Sequence, residues 1–103
     1  EDSPGTNPEE LIGAAHAGCF TMALSGQLGK AGMTAQELRT TATVSMEKEG
    51  DGFTITAVHL DLVAKIPGAS QEDFDKAATT AKENCPVSKL LNAKITLSSR
   101  LEN

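Results

Sequence analysis

The strongest structural pattern in the sequence is the alternation of side chains over residues 38–47. A two-residue period places alternate side chains on opposite faces of a β-strand, so these residues are predicted to form a half-buried strand. A tight turn with the sequence Glu-Gly-Asp-Gly at residues 49–52 should end the strand. The side of the strand that faces the core should carry Leu38, Thr40, Ala42, Val44 and Met46.

A second segment rich in β-branched residues follows the turn at residues 53–66, and its alternation changes phase between Ile55 and Val58. An extra residue in one strand of an antiparallel pair produces such a change. We therefore predict a hairpin with a bulge near Thr56, which ends at Pro67-Gly68. Residues 95–101 alternate again and predict a closing strand.

Helix signals precede the hairpin. The run Asn7-Pro8-Glu9-Glu10 supplies a capping amide, a proline at the first helical position and acids at the positive end of the helix dipole. The predicted helix stops at residues 29–32, where glycines recur, and Cys19 would lie in its middle on an apolar face. The apolar stripe is expected to consist of Leu11, Ile12, Ala15, Cys19, Met22, Ala23 and Gly26.

Helix signals also follow the hairpin. A helix is predicted from a cap at Ser70, with Asp73 in the capping-box position, to about Asn84. Pro86 can open a further short helix that ends near Asn92. The order of helix, strand, strand, helix, short helix and strand is typical of an α+β fold. The buried stripe of the second helix should be Phe74, Ala77, Ala78 and Ala81.

The 103 residues are expected to form a single domain spanning residues 1–103. Three strands make a small sheet with exposed edges, and with no Trp or Tyr and three Phe the core depends on aliphatic side chains. We therefore expect missing strands or a dimer partner. The formal net charge of −5 repels phosphate backbones and anionic lipid surfaces, and no apolar stretch reaches the length of a membrane span. Nucleic-acid and membrane binding are not expected.

The chain has two cysteines, Cys19 and Cys85, whose spacing fits no zinc motif, even with His16 and His59 considered. No metal site is therefore predicted. Cys85 precedes Pro86 at the start of the short helix, where free backbone N–H groups favour a thiolate. Burial should raise the pKa of Cys19, so a reactive Cys19 needs a nearby cation. Each cysteine could instead be a small buried core residue.

Two segments resemble the signature sequences of a known family. The run Gly-Thr-Asn-Pro-Glu-Glu-Leu-Ile-Gly-Ala-Ala-His-Ala-Gly-Cys-Phe at residues 5–20 and Asn-Cys-Pro-Val-Ser at residues 84–88 resemble the OsmC/Ohr family of organic hydroperoxide peroxidases, and the first looks more like the OsmC branch. The similarity extends over essentially the whole chain. It implies an antiparallel sheet packed on a long central helix, an intertwined homodimer, and N-terminal strands that are missing from these residues.

The resemblance also implies a mechanism without haem, metal or other cofactor. Cys19 would attack the organic hydroperoxide and become a sulfenic acid, and Cys85 would condense with it to a disulfide. A dithiol reductant of the lipoyl type would restore both thiols in the cytoplasm, as a defence against oxidative and osmotic stress. Glu9 is similar to the glutamate that orients an essential arginine in the family. Neither Arg39 nor Arg100 matches that arginine.

Glu9 and Cys19 are ten residues apart on one predicted helix, which corresponds to about 15 Å along the axis. One guanidinium site cannot span this distance, so we expect Glu9 to act at Cys19 of the other subunit.

Two alternatives remain open: a non-catalytic dimer that binds small apolar molecules, and a secreted domain stabilised by a disulfide. Core packing is the simpler interpretation for Phe20, Met22, Met33 and Leu91, which could otherwise line a peroxide pocket. A hydrogen-bonded structural role is the simpler interpretation for His16.

Overall fold

The computed structural model describes residues 8–102 and begins with helix α1, Pro8–Lys30. Pro8 suits this position because the first helical N–H has no intrahelical acceptor, and Glu9 and Glu10 follow in the first turn. The predicted cap, Asn7, lies outside the described residues. The helix ends two residues before Gly32, which has the positive φ of 77° that glycine accepts without strain.

The buried face of α1 differs from the predicted stripe. Leu11 and Met22, which were expected in the core, are 61% and 76% exposed. The prediction was wrong because α1 carries Ala, Gly or larger apolar residues on several faces, so periodicity alone did not separate them. The true buried face also includes a histidine, which an apolar pattern does not score. It consists of Gly13, His16, Phe20, Leu24 and Leu28.

The predicted hairpin is confirmed. Strand β1, Glu37–Glu49, pairs antiparallel with strand β2, Gly52–Lys65, across a turn in which Gly50 has a φ of 59°. Ser45 pairs with Ala57 whereas Met46 pairs with Ile55, so the intervening residue of β2 has no partner in β1. This register shift is the bulge predicted near Thr56, and it lets β2 turn alternate apolar residues toward the helices after residue 57.

The third strand corrects the expectation of an antiparallel sheet. Strand β3, Lys94–Leu101, pairs with β2 in parallel, so the sheet has the order β1-β2-β3 and is mixed. The reason is the connection between these strands, which contains helix α2, Gln71–Asn84, and helix α3, Pro86–Leu90. A helical crossover returns the chain to the end of the sheet where β2 began, whereas an antiparallel neighbour needs only a short turn.

Helices α1 and α2 pack against one face of the sheet and enclose the core. Helix α2 begins as predicted, with the Ser70 hydroxyl accepting a hydrogen bond from the N–H of Asp73 at 3.1 Å. Its predicted buried stripe is confirmed. The central strand β2 contributes Val58, Leu60, Leu62 and Ala64 to the core, and each has no exposed surface. The architecture is α+β, as predicted.

Candidate active site

Cys19 lies in the middle of α1, between the buried His16 and the buried Phe20. These residues occupy the helix face that packs on the core, and Cys19 is at the margin of that face. Its side chain is half-buried and contacts the core cluster, so the thiol is shielded on one side and accessible on the other. A nucleophilic thiol that reacts with a small substrate needs a fixed position, which packing provides, and an accessible side that the substrate can reach.

Cys85 lies at the junction of α2 and α3 and is fully buried. It ends α2, and its N–H donates to the carbonyl of Ala81 at 2.9 Å. Pro86 cannot continue α2 because it has no N–H, so the chain becomes extended at Cys85 and a new helix starts at Pro86. The prediction that Cys85 stands at the start of the short helix is confirmed.

The fold brings the two cysteines together. The thiol of Cys85 and the backbone N–H of Val87 both lie within hydrogen-bonding reach of the Cys19 sulfur. Val87 is in the first turn of α3, where an N–H has no intrahelical acceptor and is free to bind a thiolate. Both cysteines are free thiols. The Cys19 sulfur therefore has two polar neighbours, the thiol of Cys85 and the backbone N–H of Val87.

Three effects act on the pKa of Cys19. Burial is the largest and raises the pKa above that of an ordinary thiol, as the sequence predicted, and the hydrogen bond with Cys85 raises it further. The N–H of Val87 lowers the pKa because it stabilises the thiolate. Within residues 8–102, no cation is among the groups that shift this pKa.

The two arginines lie in the outer strands of the sheet and are ion-paired there. Arg39 of β1 pairs with Glu37, and Arg100 of β3 pairs with Glu102. Both arginine side chains are mostly exposed. Neither is among the groups that shift the pKa of Cys19, and the sequence analysis assigned the catalytic role to neither.

Glu9 lies in the first turn of α1 and is partly exposed. It borders a groove of about 470 Å³ between α1 and β1, whose floor includes Gly13 and Ala42. Since one continuous helix separates Glu9 from Cys19 by ten residues, about 15 Å along the axis, the fold does not bring these two residues together within one chain.

The two histidines have different partners. Nε2 of His16 is 2.7 Å from Oγ of Ser88, and the imidazole is fully buried. Burial lowers the pKa of His16, which keeps the ring neutral. Nδ1 of His59 is 2.7 Å from Oγ1 of Thr96, its neighbour across the β2–β3 pair. The hydrogen bond predicted for His16 is confirmed.

Sequence reasoning did not assign functions to Val87 and Ser88, although both belong to the second signature segment. The contribution of Val87 is a backbone N–H, which no side-chain motif reveals. The position of these residues just after Pro86 was the available signal, because the first turn of a helix leaves its N–H groups free. Phe20 is a core residue as predicted, whereas Met22 projects from the surface.

The described part of the chain contains no group of three His, Cys, Asp or Glu side chains that could hold a metal ion. Among the helices within residues 8–102, none has the length and apolar character needed to cross a membrane.

The chain was compared with known proteins. A family model for OsmC-like proteins matches residues 1–100. The chain is 50% identical over 103 residues to peroxiredoxin OsmC of Escherichia coli strain K12 and covers 72% of that protein. It is 32% identical over 102 residues to organic hydroperoxide resistance protein-like 1 of Staphylococcus epidermidis, with 98% of this chain and 72% of the relative covered.

Solved structures agree with this similarity. The crystal structure of an organic hydroperoxide resistance protein from Elizabethkingia anophelis has a TM-score of 0.78 at 27% identity, and the match covers 99% of this chain and 73% of that one. The first of these relatives is named as a peroxiredoxin, which favours the redox enzyme over the non-catalytic binding protein. The chain therefore belongs to the OsmC-like protein family.

Proposed function

We propose that this protein reduces organic hydroperoxides to alcohols, with Cys19 as the attacking thiolate and Cys85 as the resolving thiol. The observation that carries the proposal is the contact between these two side chains, which come from separate helices and meet beside the N–H of Val87. A buried second thiol in hydrogen-bonding contact with an accessible first thiol is the arrangement that a two-cysteine peroxidase requires.

The first step oxidises Cys19. Its thiolate sulfur forms a bond with the distal peroxide oxygen, the O–O bond breaks, and the alkoxide leaves and takes up a proton to become the alcohol. Cys19 is then a sulfenic acid. In the second step the Cys85 sulfur attacks the Cys19 sulfur, the S–O bond breaks, and the hydroxyl group leaves as water with the Cys85 proton.

A dithiol reductant completes the cycle. One of its thiolates attacks the disulfide, its second thiol resolves the mixed disulfide, and two electrons return both cysteines to thiols. A lipoyl-type dithiol suits this step because its oxidised form is a cyclic disulfide. Such a reductant pool is maintained in a reducing compartment, so we place the protein in the cytoplasm. No metal or other cofactor takes part in these steps.

The surroundings of Cys19 support a preference for organic peroxides over hydrogen peroxide. Cys19 packs against apolar core residues, and a groove of about 500 Å³ on the adjacent surface of α1 is lined by Gly18, Met22, Leu38 and neighbouring small residues. Apolar walls stabilise an alkyl group through the area that it removes from water, and they offer nothing to a second hydroxyl group.

We further propose that the protein acts as a homodimer in which Glu9 of one copy serves Cys19 of the other. The exposure of Leu11 and Met22 leaves an apolar face of α1 for a second copy, and Glu9 is too far along α1 to serve Cys19 of its own chain. In this role Glu9 would orient a guanidinium, the cation that Cys19 lacks within residues 8–102.

The first experiment counts thiols. Reduced protein is mixed with cumene hydroperoxide, and we expect the loss of two thiols per chain together with a Cys19–Cys85 disulfide in the mass spectrum. Cys85→Ser should still be oxidised once and should then be labelled by dimedone, a reagent for sulfenic acids. Cys19→Ser should consume no peroxide. Full activity of Cys19→Ser would end the proposal.

The second experiment tests the shared site. Chains with Glu9→Ala and chains with Cys19→Ser are coexpressed, and heterodimers are purified through two different tags. A heterodimer should hold about one competent site, since the intact Glu9 and the intact Cys19 are then on opposite chains. Each homodimer is the control and should be inactive. A heterodimer as inactive as the homodimers would contradict the exchange of Glu9 between subunits.

A further inference from the structure

We propose that His16 is a positioning residue for the reactive thiols: its hydrogen bond with Ser88 holds α3 so that the N–H of Val87 faces the Cys19 sulfur. The inference rests on the proposed roles of Cys19 and Cys85. His16 has no place in the chemistry proposed above. It is nevertheless fully buried beside the site, and its ring is bonded to the helix that follows Cys85.

Two hydrogen bonds join α1 to α3, one helical turn apart on α1. The Cys19 sulfur accepts from the N–H of Val87. His16 lies three residues earlier on the same side of α1 and is hydrogen-bonded to Ser88. Val87 and Ser88 are consecutive residues. Because residues three apart on a helix are neighbours, the two bonds lie side by side. A shift of Ser88 away from His16 therefore moves the Val87 N–H away from the sulfur as well.

Helix α3 needs an external support. It has five residues, none of them fully buried, and Cys85 provides no side-chain cap for it. A single helical turn is not stable alone because the first turn fixes several residues for one hydrogen bond. Val87 and Leu91 pack partly against the core, but apolar contacts are not directional. The His16–Ser88 bond supplies the directional restraint.

The protonation state of His16 suits this role. Nδ1 is buried and has no hydrogen-bond partner within the described part of the chain. Buried N–H groups without an acceptor are rarer than buried acceptors without a donor. A proton on the unpartnered Nδ1 would be such an N–H group, so we assign the single proton of the ring to Nε2, which then donates to Oγ of Ser88. The ring stays neutral because burial lowers the pKa of His16.

The test measures the thiol directly and does not depend on turnover. The reduced full chain is alkylated with iodoacetamide over a range of pH, and the modification is followed by mass spectrometry after tryptic digestion. Cys19 and Cys85 fall in different tryptic peptides, since Lys30 and Lys82 lie between them. The midpoint of the pH dependence of Cys19 alkylation reports the pKa at which the Cys19 thiolate forms. The rate of Cys85 alkylation reports how firmly α3 covers Cys85.

A matched pair of variants distinguishes the effect of losing the His16–Ser88 hydrogen bond from the effect of losing the imidazole ring. In His16→Gln the amide nitrogen can take the place of Nε2 and keep the bond to Ser88, whereas in His16→Asn the shorter side chain cannot reach. We expect His16→Asn and Ser88→Ala to slow Cys19 alkylation at neutral pH about fivefold, the effect of one lost hydrogen bond, and to speed that of Cys85. His16→Gln should retain the wild-type profile.

Thr96→Val is the control for stability. It removes a histidine–hydroxyl bond of the same 2.7 Å length, between His59 and Thr96 in the sheet. It should lower the melting temperature as Ser88→Ala does, but it should leave the Cys19 profile unchanged. A merely structural role for His16 predicts that Ser88→Ala and Thr96→Val behave alike in both measurements.

The outcomes are distinct. An unchanged Cys19 profile in folded Ser88→Ala, or equal profiles in His16→Asn and His16→Gln, would overturn the inference. If His16→Asn does not fold, Ser88→Ala and Ser88→Thr decide, because threonine retains the hydroxyl group. A shifted profile in a protein that consumes no peroxide would support the positioning role and refute the proposed function. Normal peroxide turnover with an unshifted Cys19 profile would support the proposed function and refute the positioning role.

Discussion

The thiol of Cys85 lies within hydrogen-bonding reach of the Cys19 thiol, although Cys19 is in the middle of α1 and Cys85 is between α2 and α3. This contact has two opposite effects. It holds the second thiol ready for disulfide formation, but it also raises the pKa of Cys19, because the bond favours the protonated form of that thiol. The contact that favours disulfide formation therefore disfavours the thiolate that must first attack the peroxide.

Removal of the Cys85 side chain should therefore make Cys19 more reactive. In Cys85→Ala the bond that raises the pKa of Cys19 is lost, so its thiolate should form at lower pH and alkylation at neutral pH should be several-fold faster. Cys85→Ser retains a hydroxyl group at the same place and should lie closer to the wild type. The measurement is the pH dependence of iodoacetamide alkylation. A slower Cys19 in Cys85→Ala would show that the second thiol assists the first.

The buried His16 should make the protein sensitive to acid. Its pKa is lowered in the folded state, so below its ordinary value of about 6.5 the unfolded chain binds a proton that the folded chain does not. The free energy of unfolding is then highest above that pH and falls as the pH drops through the window between the unfolded and the folded pKa. His16→Gln removes the titrating group but can keep the bond to Ser88.

Urea unfolding between pH 7.5 and 5 measures this effect. We expect the wild type to lose more stability over that range than His16→Gln does. His59→Gln is the control for loss of a histidine and should keep the acid sensitivity that His16 causes. Equal slopes in the wild type and His16→Gln would contradict the prediction.

Two leucines of α1 test which face of the helix is buried. Leu24 has no exposed surface, whereas Leu11 is 61% exposed. Leu24→Ala should lower the free energy of unfolding by about 2–5 kcal/mol because it removes core contacts and leaves a cavity. In the monomeric chain, at protein concentrations too low for a dimer, Leu11→Ala should change the free energy of unfolding by about 0.5 kcal/mol or less. Chemical denaturation followed by circular dichroism compares them. A loss from Leu11→Ala in the monomeric chain as large as that from Leu24→Ala would support the stripe predicted from the sequence, whereas a loss that appears only at high protein concentration would point to a second copy on this face.

Local patterns predicted most of the fold. The phase change after Ile55 located the bulge, because a two-residue period cannot shift without an extra residue. The stripe of α2 was equally clear, since charged residues fill its other faces. The same method failed for α1, where small and apolar residues surround the helix and the true face includes His16.

The remaining features depend on contacts between distant parts of the chain. The parallel pairing of β3 with β2 is decided by how the two-helix connection packs, and no local signal in residues 94–101 reveals its direction. In the site, both cysteines were found from their signature segments, but Val87 acts through its backbone and Ser88 through a bond to His16, 72 residues away. Side-chain patterns do not encode such contacts.

The last prediction concerns the approach of α1 to the sheet. A methyl group on Gly13 would lie 3.4 Å from the carbonyl oxygen of Ala42 and 3.5 Å from Cγ2 of Val44, whereas one on Gly26 would meet nothing within 4 Å. Alanine is the better helix former by about 1 kcal/mol, so Gly26→Ala should raise the free energy of unfolding by about that amount.

Gly13→Ala should gain less than Gly26→Ala, because its methyl group would lie at the short end of van der Waals contact with the carbonyl oxygen of Ala42, whereas a methyl group at Gly26 meets nothing. Urea unfolding of the two variants provides the comparison. Equal stabilisation by both substitutions would contradict the prediction and would mean that the approach of α1 to β1 at Gly13 leaves full room for a side chain.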